Sequence, residues 1–167
     1  MAESNPILPF KNFRFVISFS TNPLVAVAAV SKVSSLKRTT EVVTHRDGGD
    51  LSTPRHAPGS TKFEPITLER GVTLDTSFEE WANRVYSTDS RGTVSLDGYK
   101  RDLTIEVRNV SGVAVLKYVV TRAWVSEFVA LPDLDANANA VMLEHVVIQN
   151  EGWQRDATFT TPGKTDD

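Results

Sequence analysis

The sequence predicts a mainly β protein: an antiparallel β-sandwich or barrel with one flanking α-helix. Three observations carry this. Side chains alternate with a period of two in FRFVISF (13–19) and again at Leu103, Ile105 and Val107, and that period places every second residue on one face of a half-buried strand. Val- and Thr-rich stretches recur between turn residues. Only one segment, DTSFEEWANRVY (75–86), has helical spacing.

Taken in order, residues 13–19, 25–33 and 37–46 read as strands. The stretch DGGDLSTPRHAPGS (47–60) reads as a long loop, with paired glycines, two prolines and no periodicity. Strand character resumes at 62–69, where Pro65 marks an edge or a bulge. In the helix, Phe78, Trp81, Ala82 and Val85 follow the i, i+3, i+4, i+7 rule, so Phe78, Trp81 and Val85 are its core-facing residues. Thr76 with Glu79, or Ser77 with Glu80, fits a capping box at its start. Asn109–Gly112 (NVSG) has turn chemistry between 103–107 and the long apolar stretch 113–129, which makes a β-hairpin. Residues 140–149 form a last strand.

The chain has 167 residues, enough for a single domain with a real core. We expect an N-terminal arm over about 1–12 and a loose tail over about 157–167. A net charge of −3 and a pI near 5.6 give no general electrostatic drive toward nucleic acid or anionic membrane. With no cysteine, disulfides, thiolate catalysis and Cys-based zinc sites are excluded. The acidic, proline-bearing start is not a secretory signal, and no apolar run is long enough to span a bilayer. The expectation is a protein made in the cytoplasm with no stable membrane association.

Candidate chemistry is sparse. Asp133, Asp135, Asn137 and Glu144 fall at positions one, three, five and twelve of a calcium loop. Yet Ala138 replaces the required glycine, Pro132 precedes the first ligand, and the flanks read as strands. Asp and Asn side chains bonding nearby backbone explain the run better, so no metal and no cofactor are expected. A calcium-binding β module stands as the alternative. His45, His56 and His145 lack partners at zinc spacing. No G-x-S-x-G elbow supports a hydrolase triad, Gly48–Gly49 is too short to cradle phosphate, and Trp81, Trp124 and Trp153 are not interleaved with basic residues. No enzyme is indicated.

Some features lack a role within a lone domain. The stretch 47–60, the apolar arm NPILPF (5–10) and the strand edges of so small a sheet all suit a subunit that completes itself on its neighbours.

Three stretches carry a family resemblance: PFKNFRF (9–15), EPITLERGVTLDTSFEEWAN (64–83) and WVSEFVALPDLDANANAVMLEHVVIQNEGWQRD (124–156), with KRTTEVVTHRDGGD (37–50) between. The chain resembles the tail tube protein of contractile phage tails, and above all the inner-tube subunit of extracellular contractile injection systems of the antifeeding-prophage and virulence-cassette type. One departure is Leu74, where members often have histidine after GVT.

The resemblance implies hexameric rings stacked into a hollow tube. Its implied partners are a sheath, a baseplate and spike hub, a tube cap, and a protein effector or DNA in the lumen. The final particle is a phage tail or an extracellular contractile particle. A minor tube-initiator paralogue at the baseplate is the alternative within the family. On this reading Arg46, Asp47, Gly48, Gly49, Asp50, Arg55 and Pro58 form a subunit interface. For the strand at 141–149 we expect His145, Val147 and Gln149 to face the lumen, with Met142, Val146 and Ile148 in the core. Glu144 then lies on the packed side and needs a partner to offset its desolvation.

Overall fold

A computed structural model of the chain describes residues 14–19, 26–46, 48–49, 53–86, 98–133 and 142–159. Its strands are β1 (Arg14–Phe19), β2 (Ala26–Val30), β3 (Lys32–Val33), β4 (Arg38–His45), β5 (Arg55–Phe63), β6 (Ile66–Gly71), β7 (Arg101–Arg108), β8 (Ala114–Val129), β9 (Leu143–Gln149) and β10 (Trp153–Arg155), with α1 (Ser77–Tyr86) between β6 and β7. The pairings described are all antiparallel.

The main sheet runs β2-β1-β7-β8-β9-β6-β3, with β10 beside β8. Its first and last strands are separated in sequence only by Ser31, whose amide donates to Glu69 O at 2.8 Å. The chain therefore turns a corner at Ser31 from one edge to the other and the sheet closes on itself. Residues 25–33 are thus two strands serving opposite edges, where alternation suggested one. Closure removes the exposed edges that a flat sheet would leave.

β8 is long enough to serve both halves. Its first part pairs with β7 and β10, and its second, from Trp124, with β9. The change of direction falls at Arg122, which has φ 49°, and the Arg122 amide donates to Asp102 Oδ1 at 2.7 Å. A non-glycine residue in the left-handed region is costly, and this captured amide helps hold it there. At the other end of the β7–β8 hairpin, Asn109 accepts from Gly112 N at 2.9 Å and its Oδ1 accepts from Val113 N at 2.9 Å. Gly112 has φ 81°, which a side chain would disfavour.

The core comes from alternate residues of the strands. Ile17, Ile66, Leu68, Leu103, Val120, Val146 and Ile148 are fully buried or nearly so. α1 caps this interior with Phe78 and Trp81, both buried, while Val85 is half-buried. Trp81 packs edge-on against Phe19 with ring centroids 5.2 Å apart, and its Nε1 donates to Tyr99 O at 3.1 Å. Full burial of each large apolar side chain contributes about 1.5–3 kcal/mol.

The helix start differs from the expected capping box. Asp75 Oδ1 accepts from the Ser77 amide at 3.1 Å, and Thr76 Oγ1 donates to Glu80 at 2.7 Å. A carboxylate does the capping because Arg70 already holds Asp75 in place, at 2.8 Å. Glu79 and Glu80 in the first turn and Arg84 in the last complement the helix dipole.

Two further expectations change. Residues 55–60 are not loop but the first part of β5, which pairs with β4 from Arg55↔His45 to Phe63↔Arg38. Prolines obscured this in the sequence; Pro58 is tolerated because each strand of a two-stranded ladder is an edge. The stretch 62–69 is broken at Glu64–Pro65 into β5 and β6. Met142, expected in the core stripe, is 47% exposed because the ladder of β9 begins one residue later, at Leu143.

Candidate assembly surfaces

The β4–β5 hairpin is a separate two-stranded sheet. Every residue of β4 is exposed, as is every residue of β5 except Ala57 and Phe63. Short polar pairs lace it together: Thr40–Thr61 at 2.9 Å and Ser60 Oγ to Glu41 Oε2 at 3.1 Å. At its bulge stands Gly59, where an added Cβ would come within 3.0 Å of Val43 Cγ2. Only the base is anchored. Phe63 packs edge-on against Trp153 at 6.1 Å, which in turn meets Tyr118, and Glu64 N donates to Lys37 O at 3.0 Å.

The interface candidates distribute along this arm. Arg46 is exposed just beyond β4, Gly48 and Gly49 lie in the turn, and Arg55 and Pro58 are exposed in β5. Asp47 and Asp50 lie outside the described residues. Val42, 64% exposed, and Val43, 37% exposed, add apolar surface to a hairpin with no core beneath it.

A second surface is the outward face of β6, β9 and the second half of β8. His145, Val147 and Gln149 lie on it, half-exposed, with Glu144, Val146 and Ile148 buried on the opposite side. Its polar groups are mutually satisfied. His145 Nε2 lies 3.3 Å from Glu127 Oε1, Gln149 donates to Ser126 Oγ at 3.1 Å, and Lys32 pairs with Glu69 at 3.2 Å. Among the described residues the face carries both signs of charge and no row of one sign.

Beneath this face is a junction that sequence spacing did not reveal. Arg70 of β6 is buried, bonds Glu144 of β9, and reaches both Oδ2 and the carbonyl of Asp75 at 2.8 Å. Its guanidinium also lies 4.3 Å above the Phe78 ring. One side chain thereby ties two strands to the helix start. Hydrogen bonds from Ser77 and Arg70 hold the Asp75 carboxyl below its ordinary pKa. The signal in the sequence was Glu144 itself, an acid on an otherwise apolar face.

The same bond occupies one residue of the calcium pattern. Glu144 is buried and committed to Arg70, while Asp133 is exposed. Asp135 and Asn137 lie outside the described residues. Among the described residues no helix is long and apolar enough to cross a membrane.

The described residues thus form a curled antiparallel barrel, plugged by one helix and bearing a hairpin exposed along nearly its whole length. The model of the T4-like virus tail tube protein gp19 family matches residues 11–154, and the chain belongs to that family. It is a tail tube protein. No curated protein matches it.

Among solved structures, a chain of an extracellular contractile injection system, the PVC sheath–tube complex in the extended state, superposes with a TM-score of 0.69. It is 21% identical, and the match covers 93% of this chain and 99% of that one. A chain of the anti-feeding prophage baseplate gives a TM-score of 0.67 at 22% identity, covering 92% and 97%. A chain of the PVC sheath/tube terminator gives 0.68 at 22% identity, covering 90% and 98%. At these identities the likeness is one of fold.

Proposed function

We propose that the chain is the main subunit of a rigid inner tube. Hexameric rings stack into a hollow cylinder inside a contractile sheath, between a baseplate with its spike hub and a terminal cap. The outward face bearing His145, Val147 and Gln149 lines the lumen. A mixed, self-paired surface there lets a protein effector or DNA slide past, since rows of like charge repeated by ring symmetry would grip it. The subunit's own task is structural.

The observation that carries this reading is the β4–β5 hairpin. A two-stranded ladder exposed along nearly its whole length is marginal in water. Laid across a subunit of the next ring, it gains the cover that its own chain withholds. Deleting residues 48–58 is expected to abolish stacked tubes in negative-stain images of particles while the barrel still melts cooperatively. Normal tubes from the deletion variant would remove the hairpin from stacking. The fold match to a chain of a baseplate structure favours one second reading, a tube initiator at the baseplate. Copy number per particle separates the two, since an initiator is confined to one level of the tube.

A further inference from the structure

Four charged or titratable side chains stand in one line across the outward face of β3, β6, β9 and β8. Lys32 lies opposite Glu69 in the β3–β6 ladder, and Glu69 lies opposite His145 in the β6–β9 ladder. His145 in turn reaches β8, with its Nε2 3.3 Å from Glu127 Oε1. Side chains paired across adjacent strands are close enough to interact directly. The line therefore reads cation, carboxylate, imidazole, carboxylate. Lys32 compensates Glu69 at 3.2 Å, whereas Glu127 has no ion-pair partner other than His145 among the described residues.

Hydrogen bonding and charge part company at this point. A neutral imidazole with its proton on Nε2 can donate to Glu127, and so can an imidazolium, but only the imidazolium balances the carboxylate. With His145 neutral, the line carries one positive charge against two negative; with His145 charged, two stand against two. The surroundings offer no substitute cation. Opposite His145 on β8 is Val129, its neighbours on the same face of β9 are Leu143 and Val147, and the diagonal positions on β6 are Thr67 and Gly71. Arg70 and Glu144 are buried on the other face and bonded to each other. An imidazole is the one side chain that ordinarily changes charge between about pH 5 and 8.

We propose that this line is a pH-sensitive strip of the channel wall, in which charging His145 neutralises Glu127 and loosens the wall's hold on basic segments of a protein in transit. The inference rests on the reading that this face lines the lumen, and it adds a control on what passes. Glu127 recurs once per subunit of a ring, so its pull accumulates only for a cargo that touches several subunits together. Acidification removes that pull from every subunit.

Assembled tubes and a fluorescent decalysine peptide test this, with bound peptide measured by sedimentation at low salt, at about pH 7.5 and about pH 5.5. His45 and His56 are also imidazoles and stand on the hairpin. Binding to the exterior is therefore measured with decalysine carried on gold particles wider than the tube, and subtracted. Binding inside the parent tube is expected to fall at least fivefold on acidification. His145→Gln, which keeps a donor but takes on no charge, is expected to bind equally at both pH values, and Glu127→Gln to bind little at either. Should one variant form no tubes, the other decides, since both are expected to lose the pH response. A parent indifferent to pH overturns the proposal, as does a His145→Gln tube that still responds. An oligonucleotide held at neutral pH in place of decalysine would assign the strip to nucleic acid and equally overturn it. If the gold-borne peptide responds to His145→Gln as the free peptide does, the face lies outside the tube, and the lumen reading falls with the proposal. If only the free peptide reports the interior and it ignores His145, the lumen reading stands and the proposal alone falls.

Discussion

The barrel with its helix and the β4–β5 hairpin are built from the same chain by opposite rules. In the barrel, alternate residues meet at a dry interior, and Phe78 and Trp81 are almost wholly buried. In the hairpin, backbone pairing runs from Arg38↔Phe63 to His45↔Arg55 with almost nothing beneath it. Hydrogen bonds set the geometry in both regions, but apolar burial supplies most of the stability, and only the barrel has it. A mutation is therefore expected to read differently in the two places: in the barrel as stability and, on the proposed function, in the hairpin as assembly.

The largest stability effect is expected from Trp81→Ala, which empties the space between the helix and Phe19. A loss of about 3–5 kcal/mol, measured by chemical denaturation of the monomer, is the expected outcome. An unchanged midpoint would mean that the helix is not part of the barrel's core.

Arg70→Ala follows closely. It leaves Glu144 buried with its cationic partner gone, a loss of about 3–5 kcal/mol. Replacing Arg70 and Glu144 together with Met and Leu is expected to recover much of that loss, since well-packed apolar residues replace buried ion pairs with little penalty. A double variant no better than Arg70→Ala alone would assign the cost to lost packing on Phe78 and to the Asp75 bonds.

Asp75 gives a smaller, pH-dependent effect. Its pKa is lowered in the folded state by Ser77 and Arg70, so its ionised form adds stability above the unfolded value of about 3.8. That contribution is lost as pH falls through the folded pKa. The stability gap between the parent and Asp75→Asn is expected to be constant from about pH 7 to 5 and to close below about pH 4. A gap independent of pH down to acid unfolding would contradict the bonds described here.

The smallest stability effect sharpens the contrast most. Val42→Thr in the exposed hairpin is expected to change monomer stability by no more than about 0.5 kcal/mol. On the proposed function, tube formation in particles is nevertheless expected to fall, since Val42 would be covered only by a neighbouring subunit. A large drop in monomer stability would show that the hairpin packs on its own barrel.

Local pattern determined much of this protein. Alternation at 13–19 and 103–107 marked β1 and β7, and the spacing of Phe78, Trp81 and Val85 placed the helix and its inward stripe. These signals are legible because side-chain direction follows backbone period, whatever the rest of the chain does. Specific runs such as ALPDLDANANAV with NEGW carried the family.

Tertiary structure decided the rest. β5 has a proline at its middle and little apolar periodicity, and it is a strand only because β4 lies beside it. The corner at Ser31 and the bend at Arg122 exist because the sheet must close, a demand that no window of neighbouring residues contains. Arg70 and Glu144 stand 74 positions apart, so neither announces the other until β6 and β9 pair. A residue's period is written in its neighbours along the chain, but its partner is fixed only when distant strands share one interior.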